Sequence, residues 1–452
     1  MKCICLRLTV VCSLLLVGAT AGTRPHYGGT LRLTTSSALA SLDPADVGQT
    51  NAISLRDICS LLFDTLVILD DRGSPQPGLA VSWISSSAFQ HWQIELRRGV
   101  TFSDGAPLTS DVVAASLRKA NPDWKVIASG DNISVELESP VHNFPAELAL
   151  TKNSIVRRDS KLPLGTGPFV VSQWDQARKL SLVTRDDYWG GRVFLDAIQI
   201  EGGQNLRDQA IALELGRADL IEIAPERAKR VGGGRSANSS EPVELMALLF
   251  AQDPQSQSES RLREALSLSI DRGQLNHVVL QNGGEAASTL LPNWMTGYSF
   301  LFPVDQNLSL AKQLRSGAPA RAWTLAYDSS DALARVVAER IMLNARDAGL
   351  NIQPVNSASA DVRLIRVPLA SLDSRTAFTE LARGLRVPHP KSPIDSADML
   401  YSAENTLLQS RRIIPLLHLR YVSAMGANVQ NWSIRGDGSW NMPQVWLTPQ
   451  QP

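Results

Sequence analysis

Strand patterns and helix patterns alternate along almost the whole chain. Residues 30–34 have the two-residue period of a half-buried strand, and the same period recurs around Trp92 and Ile133. Thr109 is placed to cap a helix that begins at Ser110. This alternation predicts a mixed α/β protein. Because 452 residues are more than one hydrophobic core normally accommodates, we expect two or more lobes.

The first 21 residues have the layout of a secretory signal peptide. Lys2 and Arg7 give a positive start, residues 8–17 are almost continuously apolar, and small residues surround Ala21. The apolar run is shorter than the roughly 20 residues that span a bilayer, which disfavours an uncleaved membrane anchor. We therefore expect cleavage after Ala21 and export to the periplasm.

The cysteines agree with an exported chain that has no internal disulfide. Cys3, Cys5 and Cys12 lie in the leader, so Cys59 is the one thiol of the mature chain. A lipid-attached cysteine usually follows a small residue, whereas Cys12 follows valine, so a lipoprotein is the less favoured alternative. Cys59 lies in an apolar segment, and we expect a buried structural thiol there.

Charge and motifs exclude several functions. The chain has 44 basic and 44 acidic side chains and no long run of like charges, so nucleic acid is not an expected partner. It contains no HExxH, GxSxG or GxxxxGK motif, and its six histidines are scattered without metal-ligand spacing. We therefore expect no enzyme activity, no metal site and no cofactor.

The ten tryptophans are many for a chain of this length. Most of them are expected to anchor the core, but a few could present an aromatic face to a ligand cleft. Trp294 and Tyr298 follow a proline-containing loop and are the better candidates for such a role.

Several segments resemble one family and occur in the order of that family. YGGTLRL at 27–33 and LDPAD at 42–46 come first, and ELRRGVTFSDGAPLTSDVVAASL at 95–117 is the most specific block. GTGPF, DDYWGGR, ALELGRADL and RLREALSLSIDRGQL follow between residues 165 and 275. The chain thus resembles the extracellular solute-binding protein family 5, which serves ABC importers of oligopeptides, dipeptides and nickel.

The resemblance implies a two-lobed periplasmic-binding-protein-like fold of class II, with an extra α/β subdomain inserted in lobe one. After the signal peptide at 1–21, it implies lobe one at 22–240 and 412–452, and lobe two at 241–411. The inserted subdomain would cover about 60–164. Gly-rich residues 231–240 and Pro-rich residues 387–393 divide the chain near 240 and near 395–412, where the resemblance implies the crossovers between the lobes.

The resemblance also implies where a ligand would bind. The segment after LDP, here Gly48, Gln49 and Thr50, would contact the ligand backbone. A second segment at 246–251 often holds tyrosines in the family, but here Leu248 and Phe250 would form an apolar wall, with Trp294 and Tyr298 near it. The acidic anchor for a peptide amine has no clear match in a short lobe two, where Asp373 is the nearest acid.

From these features we expect the periplasmic substrate-binding component of an ABC importer, a monomer that captures oligopeptides or dipeptides and delivers them to permease subunits. One alternative keeps the fold and binds a nickel chelate, an opine or a sugar oligomer. The other is an envelope sensor or chaperone without a transport role, which a shortened lobe two would suit. A neighbouring permease and ATPase gene pair would argue against this last alternative.

Overall fold

The structure is a computed structural model that describes residues 24–46, 53–231, 235–319, 321–357, 359–388 and 393–448. The predicted signal peptide and Gly232–Gly234 lie outside these ranges. The strands are β1 Thr30–Thr34, β2 Val67–Leu69, β3 Pro75–Pro77, β4 Ala80–Ser85, β5 His91–Leu96, β6 Lys125–Ser129, β7 Asn132–Glu136, β8 Phe169–Asp175, β9 Lys179–Thr184, β10 Ala197–Glu201, β11 Leu220–Glu222, β12 Ser236–Phe250, β13 Gly284–Ala286, β14 Ala322–Ala326, β15 Asn351–Pro354, β16 Val362–Pro368, β17 Ile413–Met425, β18 Val429–Gln430 and β19 Trp446–Leu447.

The helices alternate with these strands. They are α1 Ile53–Leu62, α2 Ser110–Ala120, α3 Phe144–Leu148, α4 Leu206–Glu214, α5 Gln257–Ser269, α6 Arg272–Gln274, α7 Asn293–Thr296, α8 Leu308–Ser316, α9 Ala332–Asp347, α10 Ser374–Gly384 and α11 Ala397–Gln409. None of the helices within the described ranges is long and apolar enough to cross a membrane.

Local sequence signals fix several of these helix ends. Thr109 caps α2, and its side chain accepts a hydrogen bond from the Val112 N–H. Asn205 caps α4 in the same way. Gly216 follows α4 with φ at +65°, a conformation that favours glycine. These are short-range effects, and the cap predicted at Thr109 is confirmed.

Two long strands join the halves of the main sheet. The strand order is β15-β14-β16-β12-β17-β11-β1-β10-β9-β8, and β13 pairs with β17. Strands β12 and β17 have 15 and 13 residues and run antiparallel through the middle of this sheet. One lobe is therefore built on β1 and β8–β11, the other on β14–β16, and both share the two crossing strands.

The register of the crossing strands is broken where the lobes meet. Shifts occur between Ser239 and Pro242, between Pro242 and Glu244, and between Met246 and Ala247. Proline has no N–H to donate to the ladder, so pairing is weakened at Pro242. Bulged strands bend and twist more easily than regular ones, which makes this region suited to hinge motion.

A separate small domain lies between residues 66 and 155. Strands β4, β5, β7 and β6 form a four-stranded antiparallel sheet in that order. Helix α2 packs on this sheet through Val113 and Leu117, which belong to the same buried cluster as Ile94 and Ile133. The subdomain thus has its own core within the predicted insertion at about 60–164.

Lobe two buries both faces of its sheet. Met246, Leu248 and Phe250 on β12 point into one core beneath α5 and α9. Leu245 and Ala247, which alternate with them, point into a second core beneath α10 and α11. Helix α11 thus belongs to lobe two, and β17 provides the return crossing beyond it.

Candidate functional site

The carboxyl ends of parallel strands mark the ligand side of each lobe. In lobe one, β1 is parallel to both β10 and β11; in lobe two, β14 is parallel to both β15 and β16. Open α/β sheets bind ligands outside the carboxyl ends of such strands. The candidate site is therefore the cleft between the two lobes.

A buried carboxylate organises the lobe-one wall of this cleft. Glu222 at the end of β11 accepts hydrogen bonds from Thr35 Oγ1 at 2.8 Å, from the Ser36 N–H at 2.7 Å and from Ser36 Oγ at 2.6 Å. Thr35 Oγ1 also lies 2.9 Å from Ser54 Oγ on α1. These bonds fix the loop after β1 against the first turns of α1.

An arginine held between two acids organises the lobe-two wall. Arg366 on β16 donates from Nη2 to Glu244 Oε2 at 2.5 Å and from Nη1 to Asp331 Oδ2 at 2.7 Å. Asp331 also caps α9 through its other oxygen. Burial opposes the charge of Arg366, but Glu244 and Asp331 outweigh this effect and raise the pKa of the guanidinium.

Polar contacts connect the lobes across the cleft. Arg56 Nη1 on α1 donates to the Leu369 carbonyl of lobe two at 2.6 Å. A second contact runs from Asn143 of the subdomain to Asp373 Oδ1 at 2.8 Å. The third joins Lys152 Nζ to Glu380 on α10 at 2.9 Å. The lobes therefore meet in a closed arrangement, mainly through polar groups.

Asp57 is the next residue of α1 after Arg56 and is buried. Asp57 is only 3% exposed and accepts a hydrogen bond from the Trp440 N–H through Oδ1 at 3.2 Å, while its Oδ2 has no partner. Burial raises the pKa of its carboxyl well above the usual range. Burial likewise lowers the pKa of the Arg56 guanidinium.

Two of the predicted ligand contacts are wrong. Leu248 and Phe250 are 0% and 1% exposed, and both pack inside lobe two, where Phe250 meets Trp323 edge-on with ring centroids 5.4 Å apart. They cannot form an apolar wall of the cleft. The physical reason is that β12 is covered by helices on both faces, so alternate side chains all point into a core.

The predicted role of Tyr298 is also wrong. Its ring packs against Phe302 and Tyr401, and its hydroxyl donates to Glu404 Oε2 at 2.6 Å. Tyr298 therefore holds lobe two together instead of facing a ligand. Trp294 differs, because it is 36% exposed and its Nε1 donates to the Pro242 carbonyl at 2.8 Å, next to the broken register.

The remaining predicted residues are not equally placed. Gly48, Gln49 and Thr50 lie outside the described residues, so their predicted role stays a prediction. Asp373 caps α10 and accepts from Thr376 as well as from Asn143, so its carboxylate is already occupied. Cys59 is buried, and burial raises the pKa of its thiol to about 12, as expected for a structural cysteine.

Sequence reasoning missed Arg56 and Arg366. Arg56 was detectable as a cation inside the otherwise mostly apolar helix ISLRDICSLL, a position where a charge needs a reason. Arg366 gave no comparable signal, because its two acids are 122 and 35 residues away along the chain.

The geometry first defines a class: two α/β lobes on a shared sheet, joined by two crossing strands, with a polar cleft between them. Solved two-lobed binding proteins have this fold. The oligopeptide-binding protein AppA from Bacillus subtilis, solved with a nonapeptide, superposes with a TM-score of 0.81 at 16% identity and covers 94% of this chain and 100% of its own. NikA from Staphylococcus aureus in complex with Ni(L-His)2 gives a TM-score of 0.79 at 16% identity, over 93% and 100% of the two chains.

The chain belongs to the bacterial extracellular solute-binding proteins, family 5, whose model matches residues 74–366. A curated relative, the nickel-binding periplasmic protein of Escherichia coli, is 24% identical over 352 residues, which is 67% of each chain. The predicted family and fold class are thereby confirmed. The family is one of solute-binding proteins and not of enzymes, as expected from the sequence.

Proposed function

We propose that this chain is the substrate-binding component of an ABC importer, which encloses a short peptide between its lobes and delivers it to permease subunits. The observation that carries the proposal is the polar closure of the cleft by Arg56, Asn143 and Lys152. Interfaces of this kind can open and close, whereas an apolar interface would hold the lobes together permanently.

The proposed peptide site lies along the carboxyl ends of the lobe-one strands. Gly48, Gln49 and Thr50 would contact the peptide backbone, and Trp294 would offer a stacking face from lobe two. Main-chain hydrogen bonds are indifferent to peptide sequence, so such a site would accept varied peptides. AppA, which shares the fold, was solved with a nonapeptide.

A nickel chelate is the second candidate cargo. The relative from Escherichia coli is named for nickel, and NikA was solved with Ni(L-His)2. Within the described ranges no three His, Cys, Asp or Glu side chains are grouped as a metal would require. We propose that nickel would be captured as a complex with an organic chelator, the form in which NikA was solved.

Export and assembly complete the proposal. We propose that the mature chain begins at Gly22, acts outside the cytoplasmic membrane as a monomer and contacts its permease when closed. The intact mass of protein recovered from the periplasm tests whether the mature chain begins at Gly22. A mass that includes residues 1–21, or a lipid on Cys12, would contradict it.

A thermal-shift screen tests the cargo. The probes are an equimolar mixture of apolar tripeptides, nickel with histidine, and a sugar oligomer. A ligand at about 100 times its dissociation constant adds roughly 2.7 kcal/mol to stability, which raises the melting temperature by a few degrees. We expect a shift with the peptides. A shift with sugar alone would contradict both cargo assignments.

A further inference from the structure

One guanidinium in the cleft is only partly paired. Arg56 is the fourth residue of α1, and within the described part of the chain its side chain makes a single hydrogen bond, from Nη1 to the Leu369 carbonyl at 2.6 Å. Its Nε is shielded from solvent and has no partner. A guanidinium carries five N–H donors, so most of its capacity is not used by these contacts.

Among the described residues, the acids nearest to Arg56 form no ion pair with it. Glu244 is bound by Arg366 through two hydrogen bonds, at 2.5 and 3.1 Å. Burial raises the pKa of Asp57, which favours the neutral carboxyl. Asp437 binds the N–H of Ser439 through Oδ1 at 2.9 Å.

No other acidic side chain of the described residues pairs with the Arg56 guanidinium. Among the described residues, no aspartate or glutamate lies within ion-pair distance of Arg56, although Asp57, Asp437 and Glu244 are close enough to influence its charge. The segments outside the described ranges contain no aspartate or glutamate at all. Within the described ranges, the cation therefore has no carboxylate side chain paired with it directly.

An anionic group of the ligand could pair with the Arg56 guanidinium. Taking a charge out of water without a counter-ion is unfavourable, and an added anion at close range offsets that cost. The planar fork of arginine matches the two oxygens of a carboxylate, which it binds with two parallel hydrogen bonds.

We propose that Arg56 is the anchor for a carboxylate of the captured solute and makes that carboxylate a requirement for tight binding. The inference rests on the proposed function, in which a solute is enclosed between the lobes. Two sources have this chemistry: the carboxyl terminus of a peptide and the carboxylate of an amino acid that chelates nickel. Because Arg56 also bonds Leu369 of lobe two, the anchor would couple ligand charge to lobe closure.

Calorimetry on the full mature chain distinguishes the sources with matched probes. The peptide arm uses apolar tripeptides with a free, an amidated or an N-acetylated terminus. The nickel arm uses nickel with histidine or with histidinamide, which lacks the carboxylate. The protein variants are Arg56→Gln, which removes the charge, and Arg56→Lys, which keeps it.

We expect that affinity is lost when the ligand carboxylate is removed, but not when the peptide amine is blocked. Charge-assisted hydrogen bonds change affinity by about 10- to 150-fold, so wild type should lose this factor when the carboxylate of its ligand is amidated. Acetylation of the peptide amine should cost little, because Asp373 is occupied. Arg56→Gln should bind the free and amidated forms alike, and Arg56→Lys should keep part of the difference.

A charge-matched control separates this effect from a general change of charge or fold. Arg98→Gln removes a cation from the exposed subdomain surface, where the side chain is 84% exposed, and should retain wild-type discrimination. Unfolding curves check that each variant is folded. If Arg56→Gln does not fold, the test uses Arg56→Lys, which should discriminate less than wild type between the free and amidated ligands.

Two outcomes would overturn the inference in different ways. If wild type binds the free and amidated forms of a probe equally well, the anchor is refuted while solute capture stands. If wild type binds no peptide and no nickel complex, the proposed cargo fails and the anchor fails with it.

Discussion

His418 is a buried side chain of the crossing strand β17, and it binds the loop that precedes Trp294. Its ring is 3% exposed, and Nε2 donates to the Leu290 carbonyl at 3.2 Å. On the other side of the same residue, Glu404 Oε1 accepts from the Leu290 N–H at 2.5 Å. These two side chains hold the loop that leads to Trp294, a proposed ligand contact.

The pKa of His418 predicts a pH-dependent loss of stability. Burial lowers this pKa from 6.5 to about 4. As the pH falls from 6.5 toward 4, the unfolded chain takes up a proton that the folded protein refuses, so stability falls by roughly 1–1.5 kcal/mol per pH unit. Above pH 6.5, His418 is neutral in both the folded and the unfolded chain, so the protein no longer loses stability through this side chain.

Urea unfolding between pH 7 and 4.5 measures this dependence. His418→Gln should show a flatter pH profile than wild type, and the exposed His91→Gln should match wild type. Parallel profiles for wild type and His418→Gln would contradict the account of His418. The comparison of slopes is informative even if His418→Gln is less stable at every pH.

At the scale of elements, α10 of lobe two contacts the inserted subdomain through Thr376 and Glu380. Lys152 is paired with Glu380, whose side chain is only 2% exposed. Burial lowers the pKa of Lys152 to about 8, so the closed state holds this charge at a cost that the carboxylate must offset. Breaking a buried pair from one side is therefore more harmful than replacing both partners.

This asymmetry predicts the behaviour of the closed state without ligand. Glu380→Gln should disfavour closure by roughly 3–5 kcal/mol, because Lys152 and Arg383 both lose their carboxylate. Lys152→Met with Glu380→Gln should recover only the part of this loss that comes from Lys152. Fluorescent labels at Ser87→Cys and Ser316→Cys report the distance between subdomain and lobe two, because Cys59 is buried and does not compete.

Single-molecule energy transfer should show a second, open population in the Glu380→Gln variant that is reduced in the double variant. Lys161→Met, an exposed lysine of the same subdomain, is the control. Equal populations in all variants would show that this pair has no influence on closure.

Elements also show what sequence can predict. The caps at Thr109 and Asn205 were predictable because they depend on neighbours three residues away. The run MALLF in β12 indicates a strand buried on both faces, and reading it as a cleft wall gave Leu248 and Phe250 the wrong role. Arg56 lies 313 residues from the carbonyl it contacts, a distance that no local pattern reveals.

At the scale of the whole molecule, the architecture was predictable because many ordered blocks resemble one family. The position of the cleft follows from that fold, since parallel strands end there in both lobes. Which side chains face the cleft was not predictable in the same way. That depends on the register of β12 and β17, which breaks at Pro242, and on contacts between segments far apart in the chain.

Small-angle scattering with and without peptide tests the central claim that the lobes enclose a solute. The mature protein is measured alone and with saturating apolar tripeptides, whose binding is verified by calorimetry. Hinge closure predicts a smaller radius of gyration with peptide and an unchanged content of helix and strand. An unchanged radius with bound peptide would contradict capture between the lobes.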